Sequence, residues 1–180
     1  ALCELYKAGG DPATLAEAKR AAQWVVENRA LPHGGFRHDE KDVAGPYLGD
    51  TLAMGQGFFA LYKATQDEAY LQQAQDALGF INFYMTADDV PGYLTSKTPT
   101  DHSYTPHPER DENVQIVRLA TEMYDISGNP ADDQMAEYAM RYLAAKEVAL
   151  RPMAGGVLQA QAEFSGRKPA AATSASSAAR

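Results

Sequence analysis

With 180 residues and 45% apolar content, the chain can bury one sizeable core and reads as a single domain. A net charge of −8 and a pI near 4.9 exclude a nucleic-acid phosphate backbone as partner, because no basic face offsets the acid. No apolar run reaches the length of a membrane span and no leader precedes the first predicted helix, so the expectation is a soluble protein, the cytoplasm slightly favoured.

A block of 21 residues recurs three times, beginning at Leu5, Leu61 and Met123. Without a gap it aligns Tyr6, Tyr62 and Tyr124, then Asp11, Asp67 and Asn129, then Ala18, Ala74 and Ala136, then Ala21, Ala77 and Ala139. Trp24, Phe80 and Tyr142 form an aromatic column, and Val25, Ile81 and Leu143 an apolar one. The starts are 56 and 62 residues apart (61 − 5 and 123 − 61), which makes the chain three copies of one supersecondary unit.

In chain order, the first copy begins already inside its inner helix, as in a piece of a longer protein cut within a hairpin. Cys3 lies in that apolar stretch and reads as a buried structural thiol with no internal disulfide partner. An outer helix follows over Leu15–Arg29, entered through Asp11-Pro12. In the second copy, Thr51–Ala64 is apolar nearly all round, the signature of a buried helix. Asp67 caps the next helix, Tyr70–Tyr84, where Leu71, Ala74, Leu78 and Ile81 recur at helical spacing opposite a polar face. The third copy repeats this with Val114–Ser127 inside, a Gly128-Asn129-Pro130 break, and Met135–Ala149 outside. A glycine-led segment follows each outer helix: Gly34-Gly35-Phe36, Gly92-Tyr93-Leu94 and Gly155-Gly156-Val157-Leu158. Long loops, about 32–49 and 86–112, return to the next inner helix at one end of the stack and carry all four histidines.

The expected fold is all-α: about six helices in three tandem hairpins over 1–160, part of an (α/α) toroid, with 161–180 an alanine- and serine-rich, flexible tail that loses periodicity from about Arg167. The open ends of such an arc expose apolar faces and predict self-association.

Three segments carry a family resemblance. They are Gly34-Gly35-Phe36 leading to Tyr47-Leu48-Gly49-Asp50, the turn Leu61-Tyr62-Lys63-Ala64-Thr65-Gln66-Asp67, and Asp111-Glu112-Asn113-Val114 followed by Leu119 and Tyr124. Together they resemble the six-hairpin toroid that follows the thioredoxin module in bacterial thioredoxin-domain proteins, within the six-hairpin glycosidase-like superfamily. The resemblance covers residues 1 to about 160, roughly three hairpins of six or seven. The chain departs from that pattern in having no Cys-x-x-Cys and no thioredoxin module. The resemblance implies a structural or ligand-binding module, whose partners are a thioredoxin module or the remaining hairpins. The alternative it implies is a carbohydrate-active domain, a glycoside hydrolase or sugar epimerase with a carbohydrate ligand. A tetratricopeptide-like peptide binder fits less well, since the repeat is too long.

In such toroids acid/base residues sit around the mouth where inner helices begin. Asp50 and Glu112 each stand 11 positions before a block start (61 − 50 and 123 − 112) and open an inner helix. Paired carboxylates suit glycoside chemistry, one as acid and one as base or nucleophile. Capping of free backbone amides is the structural alternative. Arg37, His38, Tyr47, Tyr104, Arg110 and Asn113 are the candidate sugar contacts on the rim. Phe36 and Tyr93, which repeat in every copy, read as packing. The two loops hold His33 and His38, then His102 and His107, spaced too loosely for a compact zinc site, so neither metal nor cofactor is expected.

Overall fold

A computed structural model describes residues 1–41, 45–87, 89–97 and 105–168. Among these residues the chain forms eight α-helices and no strand: α1 (Leu2–Gly9), α2 (Pro12–Arg29), α3 (Leu48–Thr65), α4 (Glu68–Tyr84), α5 (Arg110–Ser127), α6 (Pro130–Leu143), α7 (Lys146–Ala149) and α8 (Gly155–Gly166). Pro32–Gly34 adds a 3-10 turn. No helix is long and apolar enough to cross a membrane.

The aligned columns build the same turn three times. Asp11, Asp67 and Asn129 are the N-caps of α2, α4 and α6, each accepting from the amide two residues on, at 3.0, 3.0 and 3.1 Å. Just before them, Gly10, Gln66 and Gly128 end the inner helices in the left-handed region, at φ 71, 58 and 67°. Their amides donate to the carbonyls of Tyr6, Tyr62 and Tyr124 at 2.7, 2.7 and 2.8 Å. A left-handed residue followed by an Asx cap closes one helix and starts the next in two positions.

Hairpins α1/α2, α3/α4 and α5/α6 stack side by side, with α1, α3 and α5 on the inner row. The inner helices α3 and α5 are buried through Leu48, Leu52, Phe58 and Leu61, and through Ile116, Val117, Ala120 and Met123. Outer α4 and α6 bury one face only: Ala74, Ala77 and Ile81, then Ala136, Ala139 and Leu143. Cys3 is buried and free, as expected.

The glycine-led segments join one hairpin to the next. A Cβ on Gly35 would stand 2.4 Å from the Phe80 ring, and one on Gly92 (φ 98°) 2.8 Å from Tyr142 Cβ. Each segment therefore lies directly on the outer helix of the following unit, which only glycine permits. The apolar residue after the glycine is buried in both, Phe36 at 5% and Tyr93 at 0% exposure, so packing is their role.

Two expectations need correction. The third outer helix ends at Leu143, and a separate turn, α7, covers Lys146–Ala149. Gly155-Gly156 does not sit as a loop under a helix end; it opens α8, a fourth inner helix on α5. The physical reason is that Val157, Ala160 and Phe164 follow at helical spacing, giving α8 an apolar stripe. Ordered chain consequently runs past position 160: Arg167 pairs with Asp133, and the Lys168 amide donates to Asp125 at 2.7 Å.

Candidate functional site at the inner-helix mouth

Helices α3 and α5 begin side by side at the end of the stack where the long loops gather. Their N-cap residues, Tyr47 and Glu109, make no side-chain cap hydrogen bond. The fourth residue of each helix, Thr51 or Asn113, is fully buried and fastens a glycine-led segment to the mouth. Thr51 Oγ1 accepts from the Phe36 amide at 3.1 Å. Asn113 does more: its Oδ1 accepts from the Tyr93 amide at 2.8 Å, and its Nδ2 donates to the carbonyls of Tyr93 and Glu109 at 3.0 and 2.8 Å. The segment after Tyr93 then threads between the two helix starts. Thr95 accepts from the Leu48 amide at 2.8 Å and donates to the His107 carbonyl at 3.2 Å.

Asp50 and Glu112 occupy the third position of α3 and α5. Glu112 lies across the neighbouring helix start: a Cβ on Gly49 would come within 3.2 Å of Glu112 Oε1. His38 Nδ1 stands 3.1 Å from Asp50 Oδ1, and its ring meets Tyr47 edge-on at 6.0 Å and 86°. Asp50 Oδ2 and Glu112 Oε2 are both buried and neither has a hydrogen-bond partner. Neither carboxylate accepts from a backbone amide among the described residues, so neither is consumed as a helix cap. An unpaired buried carboxylate oxygen is costly, and the cost falls on the charged form. Burial accordingly pushes the Glu112 carboxyl up to about 7, helped by the charges of Glu109 and Asp50 and opposed by His107. His107 is itself raised, chiefly by its bond to the Thr105 carbonyl and further by Glu109, whose Oε1 lies 2.9 Å from Nε2.

The structure thus brings together Asp50, Glu112, His38 and Tyr47 of the residues named from sequence. It places the others differently. Arg37 donates to the Asn28 carbonyl at 3.4 Å, at the end of α2. Arg110 donates to Asp111 and, at 2.9 Å, to the Pro152 carbonyl. Asn113 has both amide hydrogens and its oxygen committed to backbone. Tyr104 and His102 lie outside the described residues, as does Asp42. His33 is not with His38; it lines a cleft of about 760 Å³ against Asp76, Phe80 and Phe83 of α4, which none of the named site residues reaches.

Two further residues stand at the mouth outside the set of candidate contacts, His107 and Glu109. The repeat frame held a signal for the second. Glu109 stands 14 positions before its block start, as Tyr47 does (123 − 109 and 61 − 47).

Chemically, the mouth sets a carboxyl raised to about 7 by burial beside the Asp50 side chain, which the His38 imidazole contacts. Two carboxyl groups whose surroundings differ in this way can divide acid and base roles.

No protein-family description matches the sequence, and no curated protein does. Solved structures do match the fold. A family 76 glycoside hydrolase from a bovine Bacteroides thetaiotaomicron strain superposes with a TM-score of 0.66 at 17% identity, over 81% of this chain and 33% of that one. Cellobiose 2-epimerase from Spirochaeta thermophila gives 0.65 at 16%, over 80% and 40%. A family 76 mannosidase from Bacteroides thetaiotaomicron gives 0.59 at 15%, over 77% and 40%. The chain spans between a third and two fifths of the length of these proteins. The likeness is one of fold: this chain forms an all-α segment that superposes on part of the (α/α) toroid of these proteins.

Proposed function

We propose that the mouth of this toroid segment binds carbohydrate, and that in a complete ring Glu112 and Asp50 are its acid and base. The observation that carries this reading is the pair of buried, unpartnered carboxylate oxygens on adjacent inner-helix starts. In glycosidic cleavage Glu112 gives its proton to the leaving oxygen as the C–O bond breaks. Asp50, steered by His38, takes the proton of the water that attacks the sugar carbon. In sugar epimerisation the same pair removes and returns a proton beside a carbonyl. The three fold neighbours act on, or are named for, sugars, which favours this ligand class over others.

A second reading has its own support. Asn113 and Arg110 are spent on backbone carbonyls, so the isolated chain retains few free rim contacts and serves as a structural or ligand-binding module. Linkage to a thioredoxin module in a parent protein rests on the sequence resemblance alone and is proposed on that basis.

The test is titration calorimetry of the chain with manno- and cello-oligosaccharides, repeated for Asp50→Asn and Glu112→Gln. Binding by the parent chain that both substitutions abolish, with helicity unchanged, supports the acid/base mouth. Binding that survives both refutes the role of the carboxylates. No binding by the parent chain leaves the module reading.

A further inference from the structure

The connector that follows α2 crosses α4 closely. A Cβ on Gly34 (φ 90°) would stand 2.6 Å from the Asp76 carbonyl, and His33 beside it holds a left-handed backbone (φ 66°, ψ 23°) that side chains rarely adopt. Between this connector and α4 opens the cleft of about 760 Å³, bounded by the first and second hairpins and remote from the mouth carboxylates. Its aromatic wall is a cluster of three rings. Tyr84 stacks on Phe80 at 4.4 Å and meets Phe83 edge-on at 4.9 Å, and Phe83 is 76% exposed. Asp76 supplies a carboxylate. Gln72 Nε2 donates to its Oδ1 at 2.9 Å, which leaves Oδ2 for a further donor. No lysine or arginine is among the described residues that line the cleft.

The third hairpin shows the same place filled. Gly79 stands 18 positions after its block start, as Arg141 does (79 − 61 and 141 − 123), and Asp76 stands where Tyr138 does (76 − 61 and 138 − 123). On α6 the Arg141 guanidinium lies over the Tyr138 ring, 5.4 Å from its centroid. The Tyr138 hydroxyl donates to the carbonyls of Ala87 and Val90, in the connector that follows α4. On α4 no side chain takes the place of that arginine: a Cβ on Gly79 would meet nothing within 4 Å. Phe83 stands where the third hairpin has Ala145 (83 − 61 and 145 − 123), which widens the aromatic wall. The second hairpin thus enlarges the rings, exchanges a tyrosine for a carboxylate, and omits the cation. A guanidinium is planar and weakly hydrated; it stacks on aromatic rings and presents paired N–H donors to a carboxylate.

We propose that this cleft binds the guanidinium group of an arginine-bearing ligand, seated over Gly79 against Phe83 and Tyr84 and paired with Asp76. The ligand supplies from outside the chain what Arg141 supplies from within it one repeat later. The net charge of −8 favours the approach of a cation. The inference rests on the repeat comparison and is independent of the carbohydrate reading.

Titration calorimetry of the full chain tests it with N-acetyl-L-argininamide, whose only charge is the guanidinium, beside its neutral isostere N-acetyl-L-citrullinamide. Saturable binding of the first and none of the second is expected. Gly79→Arg places an arginine where the third hairpin has one, and should abolish binding with helicity unchanged. Gly79→Ala, whose methyl enters open space, should bind as the parent does. Asp76→Asn and Phe83→Ala should each weaken binding about fivefold. The proposal is overturned by a parent chain that shows no saturable binding, by equal binding of the citrulline compound, or by binding that survives Gly79→Arg. A cello-oligosaccharide that binds the parent and is lost in Gly79→Arg would assign the cleft to sugar and overturn the cation reading.

Discussion

Replacing Glu112 by glutamine should make the protein less sensitive to pH, and the size of the effect follows from the carboxyl's surroundings. The group moves from a usual value of 4.5 to about 7 on folding, because burial and the nearby charges of Glu109 and Asp50 oppose ionisation. Between these two values the folded state holds a proton that the unfolded state has released. The contribution to stability is therefore fully present below about pH 4.5 and is lost as pH rises through about 7. At about 1.4 kcal/mol per pH unit the ceiling is roughly 3 kcal/mol, and solvent screening at a partly exposed site brings it to about 2 kcal/mol. Glutamine cannot ionise, so the variant escapes that loss. Any cost from its amide is the same at every pH. The difference in stability between Glu112→Gln and the parent should thus move by about 2 kcal/mol in favour of the variant between pH 4.5 and pH 8, or roughly 4–8 °C in Tm for a chain of this size. Asp132, also raised by burial, to about 6, contributes equally to both proteins and cancels. Urea melts across this range provide the measurement. Parallel curves for parent and variant would refute the assignment of an unusually protonated carboxyl at the mouth.

Other expected outcomes concern the scaffold. Asn113→Ala removes the partners of three buried backbone groups and should cost about 2–4 kcal/mol in a urea melt, although no capping or packing residue is touched. Gly35→Ala drives a methyl into the Phe80 ring and should destabilise by about 1–3 kcal/mol, while Gly79→Ala, with open space at its Cβ, should be neutral or stabilising. Asp67→Ala removes a helix cap and should cost about 1 kcal/mol by thermal melt without altering the mouth, whose chemistry lies at the other end of α3. A larger loss of ligand binding than of stability in that variant would contradict the separation of the two ends.

The hairpin plan was legible because its determinants are local and repeat in residue type. Asp11, Asp67 and Asn129 are all good caps, and the alanine columns mark where helices approach. Where residue type changes within a column, the signal faded. Gln66 takes the left-handed turn position that Gly10 and Gly128 hold, and nothing in the Gln66 side chain announces it. Thr51 and Asn113 share one structural duty with different side chains, so Asn113 read as a free hydrogen-bonding residue when its amide was already committed. Helix α8 has no counterpart in the aligned blocks, and its opening glycines masked the stripe behind them. At the mouth, the carboxylates emerged from the repeat frame because both are acidic at the same offset. Arg37 and Arg110 did not: spacing fixes where a long side chain starts, and the backbone carbonyls of Asn28 and Pro152 decide where it ends.

The thrice-built turn at one end of the hairpins has a consequence for how the molecule can change. Each turn is sealed by contacts within five or six residues of itself, and none of those contacts reaches the loops of the opposite end. The long loops, by contrast, are held from several helices, by Thr51 and Asn113 at helix starts and by the Tyr138 and Tyr142 hydroxyls along α6. Transplanting a mouth loop from a related toroid should therefore require that these anchoring positions be matched, while the sealed end supplies a chassis that carries over unaltered. Variation in ligand preference can accumulate at one pole of this architecture without renegotiating the helix pairing at the other.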